Sequence, residues 1–239
     1  MIPIEKYDFE QKQQFVNWSE KPRHKGLIFN EDGIINPNVW YNQNKKVLFV
    51  LKEAYHEQVQ NENGCQPYNL AKELSTKGPW NSIWNRVAEW SYGIHNTTYE
   101  NIALYNYNLG EENSKTIMNE YLNRIAIINI KKSGGRSKSE SKDLDIYAKE
   151  DAEELRKQIF DIILPNIIVC GYTFEQFNSI LEIPIDKKNN HNDNWFYFVG
   201  DMIIIDFYHP ANQYPALLNY YGLSCIYQQA LIKQKEMNL

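Results

Sequence analysis

Three apolar runs punctuate the chain, at residues 47–51 (VLFVL), 125–130 (IAIINI) and 166–171 (NIIVCG). Runs of this length, rich in β-branched residues and without polar alternation, predict strands covered on both faces, as in a parallel sheet. A further pair of segments, 195–199 and 202–207, is joined by Gly200-Asp201 and predicts a hairpin. Elsewhere apolar residues recur at helical spacing. Residues 4–20 carry Tyr7, Phe9, Phe15 and Trp18 on a surface helix, and residues 82–94 carry Ile83, Trp84, Val87 and Trp90. A helix from Ser114 runs directly into the second apolar run. Residues 148–164 hold Ala152, Leu155, Ile159, Ile162 and Ile163 on one face as far as Pro165, which cannot continue a helix. Helices over 173–181 and 220–235 complete the pattern, while 26–40, with Gly33 and Pro37, predicts irregular chain with short extended pieces and 58–66 a polar loop. Strands alternating with helices predict one α/β domain over residues 1–239, a three-layer α/β/α arrangement around a central, mostly parallel sheet.

Composition narrows the class without naming a function. With 239 residues, 43% of them hydrophobic, the chain can bury a large core. Its net charge of −5 argues against broad, sequence-independent nucleic-acid binding, unless a local basic face exists. Seventeen Tyr and six Trp supply rings that serve either as core or as platforms for flat ligands. Cys65, Cys170 and Cys225 are odd in number and far apart, which predicts neither a disulfide frame nor a zinc site and favours a reducing compartment. The first residues are charged and have no apolar leader, and no apolar stretch is long enough to span a bilayer; a cytoplasmic, monomeric protein without membrane contact is expected. Five histidines (His24, His56, His95, His191, His209) lack metal-ligand spacing, and no glycine-rich phosphate loop follows a strand, so no metal or cofactor is expected.

Candidate chemistry gathers where the apolar runs stop. The first ends in Lys52, Glu53, Tyr55 and His56, the second carries Asn129 near its end, and the 202–207 strand leads into His209-Pro210. Parallel strands deliver their C-terminal residues into the ligand crevice of an open α/β sheet, so a carboxylate, imidazoles, a phenol and an amide there form a candidate site. A solvated loop after residue 51, and an Asn129 amide tied to neighbouring backbone, are the alternatives. Residues 131–142 (KKSGGRSKSESK) hold five cations against one anion, a local charge of +4. Lys131, Lys132, Arg136 and Lys138 are therefore either phosphate-backbone contacts or a solvated surface loop. Trp84 and Trp90 are assigned to the core; Trp80 and Tyr92, at the helix ends, remain available to line a pocket.

Taken in order, these strand ends resemble motifs of the uracil-DNA glycosylase superfamily. Leu51-Lys52-Glu53-Ala54-Tyr55-His56 resembles its G-Q-D-P-Y-H, Asn129 falls where that superfamily has a base-reading Asn, and His209-Pro210-Ala211-Asn212-Gln213 resembles its H-P-S-P-L. The resemblance spans residues 45–214 and implies a uracil-DNA glycosylase-like fold and a DNA glycosylase that flips a nucleotide out and hydrolyses its N-glycosidic bond. It further implies Glu53 and His209 as catalytic residues, the carboxylate stabilising positive charge at C1′ and the imidazole the departing base. Asn129 would then read the pairing edge, with Lys52, Tyr55, His56 and Trp80 around the base. Gln213, where family members insert a leucine into the vacated stack, and Tyr214 would contact DNA, single- or double-stranded. Glu for Asp, Lys52 for Gln and Ala54 for Pro leave the base open among uracil, a damaged base and a modified base such as those of phage DNA. The role is equally open between base-excision repair and antiviral defence. A non-catalytic DNA-binding member of the same fold, or an unrelated hydrolase acting on a small nucleoside, stands beside this reading.

Overall fold

The computed structural model describes residues 4–53, 68–105, 112–135, 139–185 and 195–237. All the apolar runs are strands. The named elements are α1 (Ile4–Ser19), β1 (Asn30–Glu31), β2 (Gly33–Ile34), α2 (Pro37–Trp40), β3 (Val47–Glu53), β4 (Tyr68–Asn69), α3 (Leu70–Lys77), α4 (Ser82–Asn96), α5 (Glu112–Leu122), β5 (Ile125–Lys131), α6 (Ser141–Glu150), α7 (Ala152–Arg156), a π-helical segment (Lys157–Ile163), β6 (Ile167–Gly171), α8 (Phe174–Ile180), β7 (Phe196–Val199), β8 (Met202–Phe207) and α9 (Ala216–Glu236). Six strands form one sheet in the order β2-β5-β3-β6-β8-β7. The inner four, β5-β3-β6-β8, are parallel, and β2 and β7 pair antiparallel at the two rims.

The period of two along each strand sorts side chains into two cores. Leu48, Val50, Ala126, Ile128, Ile168 and Ile204 face α1, α6, α7, the π segment and α8. Val47, Phe49, Ile125, Ile127, Val169, Ile203 and Ile205 face α3, α4, α5 and α9. The result is the three-layer α/β/α arrangement, and it explains why these strands are apolar without alternation: neither face meets water. Gly200-Asp201 closes the β7–β8 hairpin with Val199 opposite Met202, and Gly200 supplies the positive φ of 60° that a two-residue turn of this kind needs at its first position.

Helix continuity departs from the expectation for residues 148–164. The stretch divides at Asp151 into α6 and α7, and α7 passes into the π segment, where Leu164 N–H bonds to Ile159 five residues back. The sequence's helical spacing survives because Leu155, Ile159, Ile162 and Ile163 all remain buried on the sheet. Pro165 then ends the segment, with Leu164 in the left-handed conformation common at helix ends.

The stretch read as irregular, residues 26–40, contains a buried carboxylate with several partners. Asp32, between β1 and β2, is buried, and its Oδ1 accepts from Lys132 Nζ at 2.5 Å and from Gln158 Nε2 at 3.0 Å. Its Oδ2 accepts the backbone N–H of Asn129 at 2.8 Å, and its carbonyl accepts from Gln11 Nε2. Burial pulls the Lys132 ammonium below the usual lysine range, and the Asp32 charge opposes that pull. Removing one partner of such a pair strands the other in a medium that cannot solvate it. Asp32→Ala should therefore destabilise the protein by about 3–5 kcal/mol in urea denaturation. The double variant Asp32→Leu/Lys132→Met should be less destabilised than Asp32→Ala; equal loss in both would show that the ion pair is not the source.

Candidate functional site at the strand ends

Sheet topology marks one crevice. From β3 the chain moves to β5 on one side, then crosses back to β6 on the other, so the winding reverses between β3 and β6. Ligands of open α/β sheets bind at the carboxyl ends of strands at such a reversal. Register sets the heights there. Leu51 lies opposite Asn129, Glu53 opposite Lys131, Val50 opposite Cys170, and Gly171 opposite Phe207. Glu53 is the last residue of β3 and His209 lies two residues past the end of β8, with β6 between the two strands. Gly171 lies between them, and a Cβ there would come within 2.7 Å of Leu51 Cδ2 and 3.5 Å of Pro210 Cδ, so the glycine lets the β3 and β8 ends close over β6.

At the β3 end the charges are linked. Glu53 Oε2 is 3.2 Å from Lys131 Nζ, which also bonds to Asp143 on α6 at 2.5 Å; the Glu53 and Lys131 side chains are only 4% and 5% exposed. Burial pulls the Lys131 ammonium down, but the Asp143 hydrogen bond and the Glu53 charge outweigh it and hold the group above the usual lysine range. Lys52 has the opposite balance: burial brings it below that range against the opposing Glu53 charge. Its Nζ lies 4.4 Å from the centroid of the Tyr172 ring, a cation–π contact just beyond the end of β6.

At the β8 end the loop around His209 is tied down. Ala211 N–H donates to His209 Nδ1 at 3.1 Å. Arg86 on α4 donates to the carbonyls of Pro210 at 2.8 Å and Asn212 at 2.5 Å. Asn212 and Asn219 exchange reciprocal amide bonds of 3.1 and 3.0 Å. Burial, reinforced by the nearby Lys52 charge, pushes His209 down to about 4, so the ring is neutral at pH 7. With Nδ1 accepting, the proton of the neutral ring is on Nε2, which makes Nε2 a donor.

Other expected site residues divide. Asn129 is buried, and its amide is 3.4 Å from Asp32 Oδ2, so part of its bonding is structural. Lys131 and Lys132 are not on a solvated basic loop: Lys131 is the last residue of β5, and Lys132 is fully buried against Asp32 and 5.1 Å from the Trp18 ring. That corrects their expected phosphate contacts; the charges interrupt the hydrophobic pattern, but partners 100 residues or more distant from Lys132 enclose it. Arg136, Lys138, Tyr55 and His56 lie outside the described residues. Trp80 is half-exposed, with its ring against Trp84, and Trp90 is core. Gln213 is exposed and bonds locally to Ala211, and the exposed Tyr214 ring packs on Tyr208. Sequence reasoning passed over Asp32, Arg86 and Tyr172. Tyr172 follows a strand end, the same signal that singled out Glu53, whereas Arg86 sits among aromatic helix residues with nothing local to mark it.

A separate cavity of about 380 Å³ lies between α1, the β1–β2 segment and α3, lined by Tyr7, Gln11, Lys12, Glu31, Asn69 and Lys72 among others. Among the described residues, no cluster of three metal-ligating side chains occurs and no helix is long and apolar enough to cross a membrane. Compared with known proteins, the chain matches no family model, and no curated protein matches its sequence.

Two partly buried histidines give the fold a defined acid response. His95, with Nδ1 bonded to Ser91 O, is pushed down to about 4 by burial, as is His209. An unfolded histidine titrates near 6.5, so between about 6.5 and 4 the unfolded chain binds more protons than the folded one. The stability these groups supply is complete above about pH 6.5 and is lost as pH falls toward 4. Urea midpoints should fall across that window, and His209→Gln should flatten the decline; a midpoint constant from pH 7.5 to 4.5 would contradict the assignment.

Proposed function

We propose that the protein is a DNA glycosylase that acts on an extrahelical base held at the ends of β3, β6 and β8. The observation that carries this reading is the bonding of His209: its Nδ1 accepts from Ala211 N–H, which leaves Nε2 as the donor of the neutral ring, at the end of the sheet where β3 finishes in Glu53. N-glycosidic hydrolysis develops positive charge on the sugar and negative charge on the leaving base. Glu53 faces the first need, stabilising charge at C1′ and orienting water, and His209 Nε2–H faces the second, donating to a carbonyl oxygen of the base. A preorganised donor held by Arg86 and Asn219 through its loop loses little by reorganisation when the charge forms. Asn129 pairs with Leu51, two residues before Glu53, and in this reading its amide meets the pairing edge of the base. DNA as the partner, action as a monomer and a cytoplasmic setting belong to the same proposal, as does a uracil, damaged or modified pyrimidine as the base.

A second reading, a DNA-binding protein of the same fold without catalysis, draws on the enclosure of the Glu53 carboxylate by Lys131. One variant separates them. Glu53→Gln keeps a hydrogen-bonding side chain, and Lys131 keeps Asp143 as its counter-charge, so the melting temperature should hold. Under the glycosylase reading, abasic-site formation on DNA carrying different bases, read by alkaline cleavage, should drop by about 10²-fold or more. No strand breaks from the wild type on any base, with DNA binding intact, would favour the non-catalytic reading. A collapse of the melting temperature in Glu53→Gln would make Glu53 structural.

A further inference from the structure

We propose that Tyr172 is the stacking platform for a nucleobase, held at the winding reversal in a conformation that packing alone does not require. Among the described residues, only Leu164 and Tyr172 have positive φ without being glycine. Leu164 is accounted for by the end of the π segment. Tyr172 ends no helix: it joins β6 to α8 at φ 57°, and its N–H is fixed by Phe207 O at 2.7 Å and Cys170 O at 2.9 Å. A bulky residue there is strained, a glycine would not be, and such strain gathers at ligand sites. Nothing in the core offsets that strain, because Tyr172 is 64% exposed. A large ring has been placed in a glycine's conformation and presented to solvent.

Its surroundings indicate what the ring takes. Lys52 Nζ lies over the ring and beside Glu53, so a cation flanks the platform. Gly171, immediately before it, leaves room for Leu51 and Pro210 to approach over β6, and Tyr172 follows the middle of three strand ends, flanked in the sheet by β3, which ends in Glu53, and by β8, which leads to His209. A planar ring with carbonyl oxygens to receive the His209 donor, on a phosphate-bearing chain that gains from Lys52, is a nucleobase in a polynucleotide. Aromatic–base stacking is tolerant of base identity, so Tyr172 supplies affinity for an unstacked base while neighbouring groups choose among bases. This identification of the ligand rests on the nucleic-acid reading above, but not on catalysis.

The test is equilibrium binding of fluorescein-labelled oligonucleotides, single-stranded and duplex with a mismatched base, by anisotropy, alongside thermal melting. Tyr172→Gly removes the ring and the backbone strain together, so it should leave the melting temperature unchanged or higher while weakening binding by about tenfold to a hundredfold. Tyr172→Phe should bind like wild type, since the ring and not the hydroxyl is used. Wild-type affinity in Tyr172→Gly would overturn the platform assignment alone. A fall in melting temperature that tracks the binding loss would overturn it by making Tyr172 a packing residue. If the wild type binds no oligonucleotide, the platform and the nucleic-acid reading fall together. Tyr172-dependent binding without any abasic product would sustain the platform while removing the glycosylase.

Discussion

A carboxylate with no access to water must find a cation and donors, and Asp32 does so by drawing three other parts of the chain onto its own segment. Gln11 comes from α1, Gln158 from the π segment, Asn129 from within β5 and Lys132 from just beyond it, while Asp32 itself precedes the rim strand β2. The N–H of Asn129 is the bond that matters most for the site. It anchors the end of β5 in height, and β5 in turn pairs with β3 in the register that sets Glu53 beside Lys131. An error of one residue in that register would turn Glu53 to the opposite face of the sheet. The ion pair therefore contributes little to net stability by itself, since its desolvation offsets its attraction, and more to uniqueness of alignment.

Two of the strand ends are built differently, and the difference follows their tasks in the proposed chemistry. At β3 the polar groups are held by opposite charges, Glu53 with Lys131 and Lys131 with Asp143. At β8 they are held by hydrogen bonds rather than ion pairs: main-chain N–H to imidazole, guanidinium to carbonyls, amide to amide. Charge partners keep a carboxylate's field fixed. Burial keeps the imidazole uncharged, and the Lys52 charge reinforces it.

Much of the fold was legible in the sequence because burial on both faces leaves an unmistakable trace. Val47 and Phe49 on one face, with Leu48 and Val50 between and after them on the other, could not all be apolar along one strand unless helices covered each side. The strand-end rule also located Glu53 and His209, since a parallel strand carries whatever polar side chain follows its apolar run to the open edge of the sheet. What escaped was decided by partners distant in sequence. Lys132 has the same local context as any solvent lysine, and only Asp32, a hundred positions away, makes it a buried one. Asp32 in turn lies in a segment whose Gly33 and Pro37 signal irregular chain with short extended pieces, a reading that β1 and β2 match, that misses the short helix α2 and that says nothing of the contacts. The break at Asp151 was hidden for another reason: the π segment shifts the backbone hydrogen bonds without moving the apolar residues off the sheet, so the hydrophobic spacing looks like one helix.

The rims of the sheet bear on how copies of this chain meet one another. The strand at one rim, β2, is two residues long, and at the other β7 has four and folds back tightly onto β8. An open rim of unpaired amides and carbonyls invites a strand from a second molecule, and the length of the template governs how much such pairing gains. Here the long apolar strands, those that would aggregate most readily if laid bare, are all interior, and the rims are too short to seed a continuing ladder. A protein with this many isoleucines in its sheet thereby keeps its hazard enclosed, and the two short antiparallel strands act as guards for the four parallel ones.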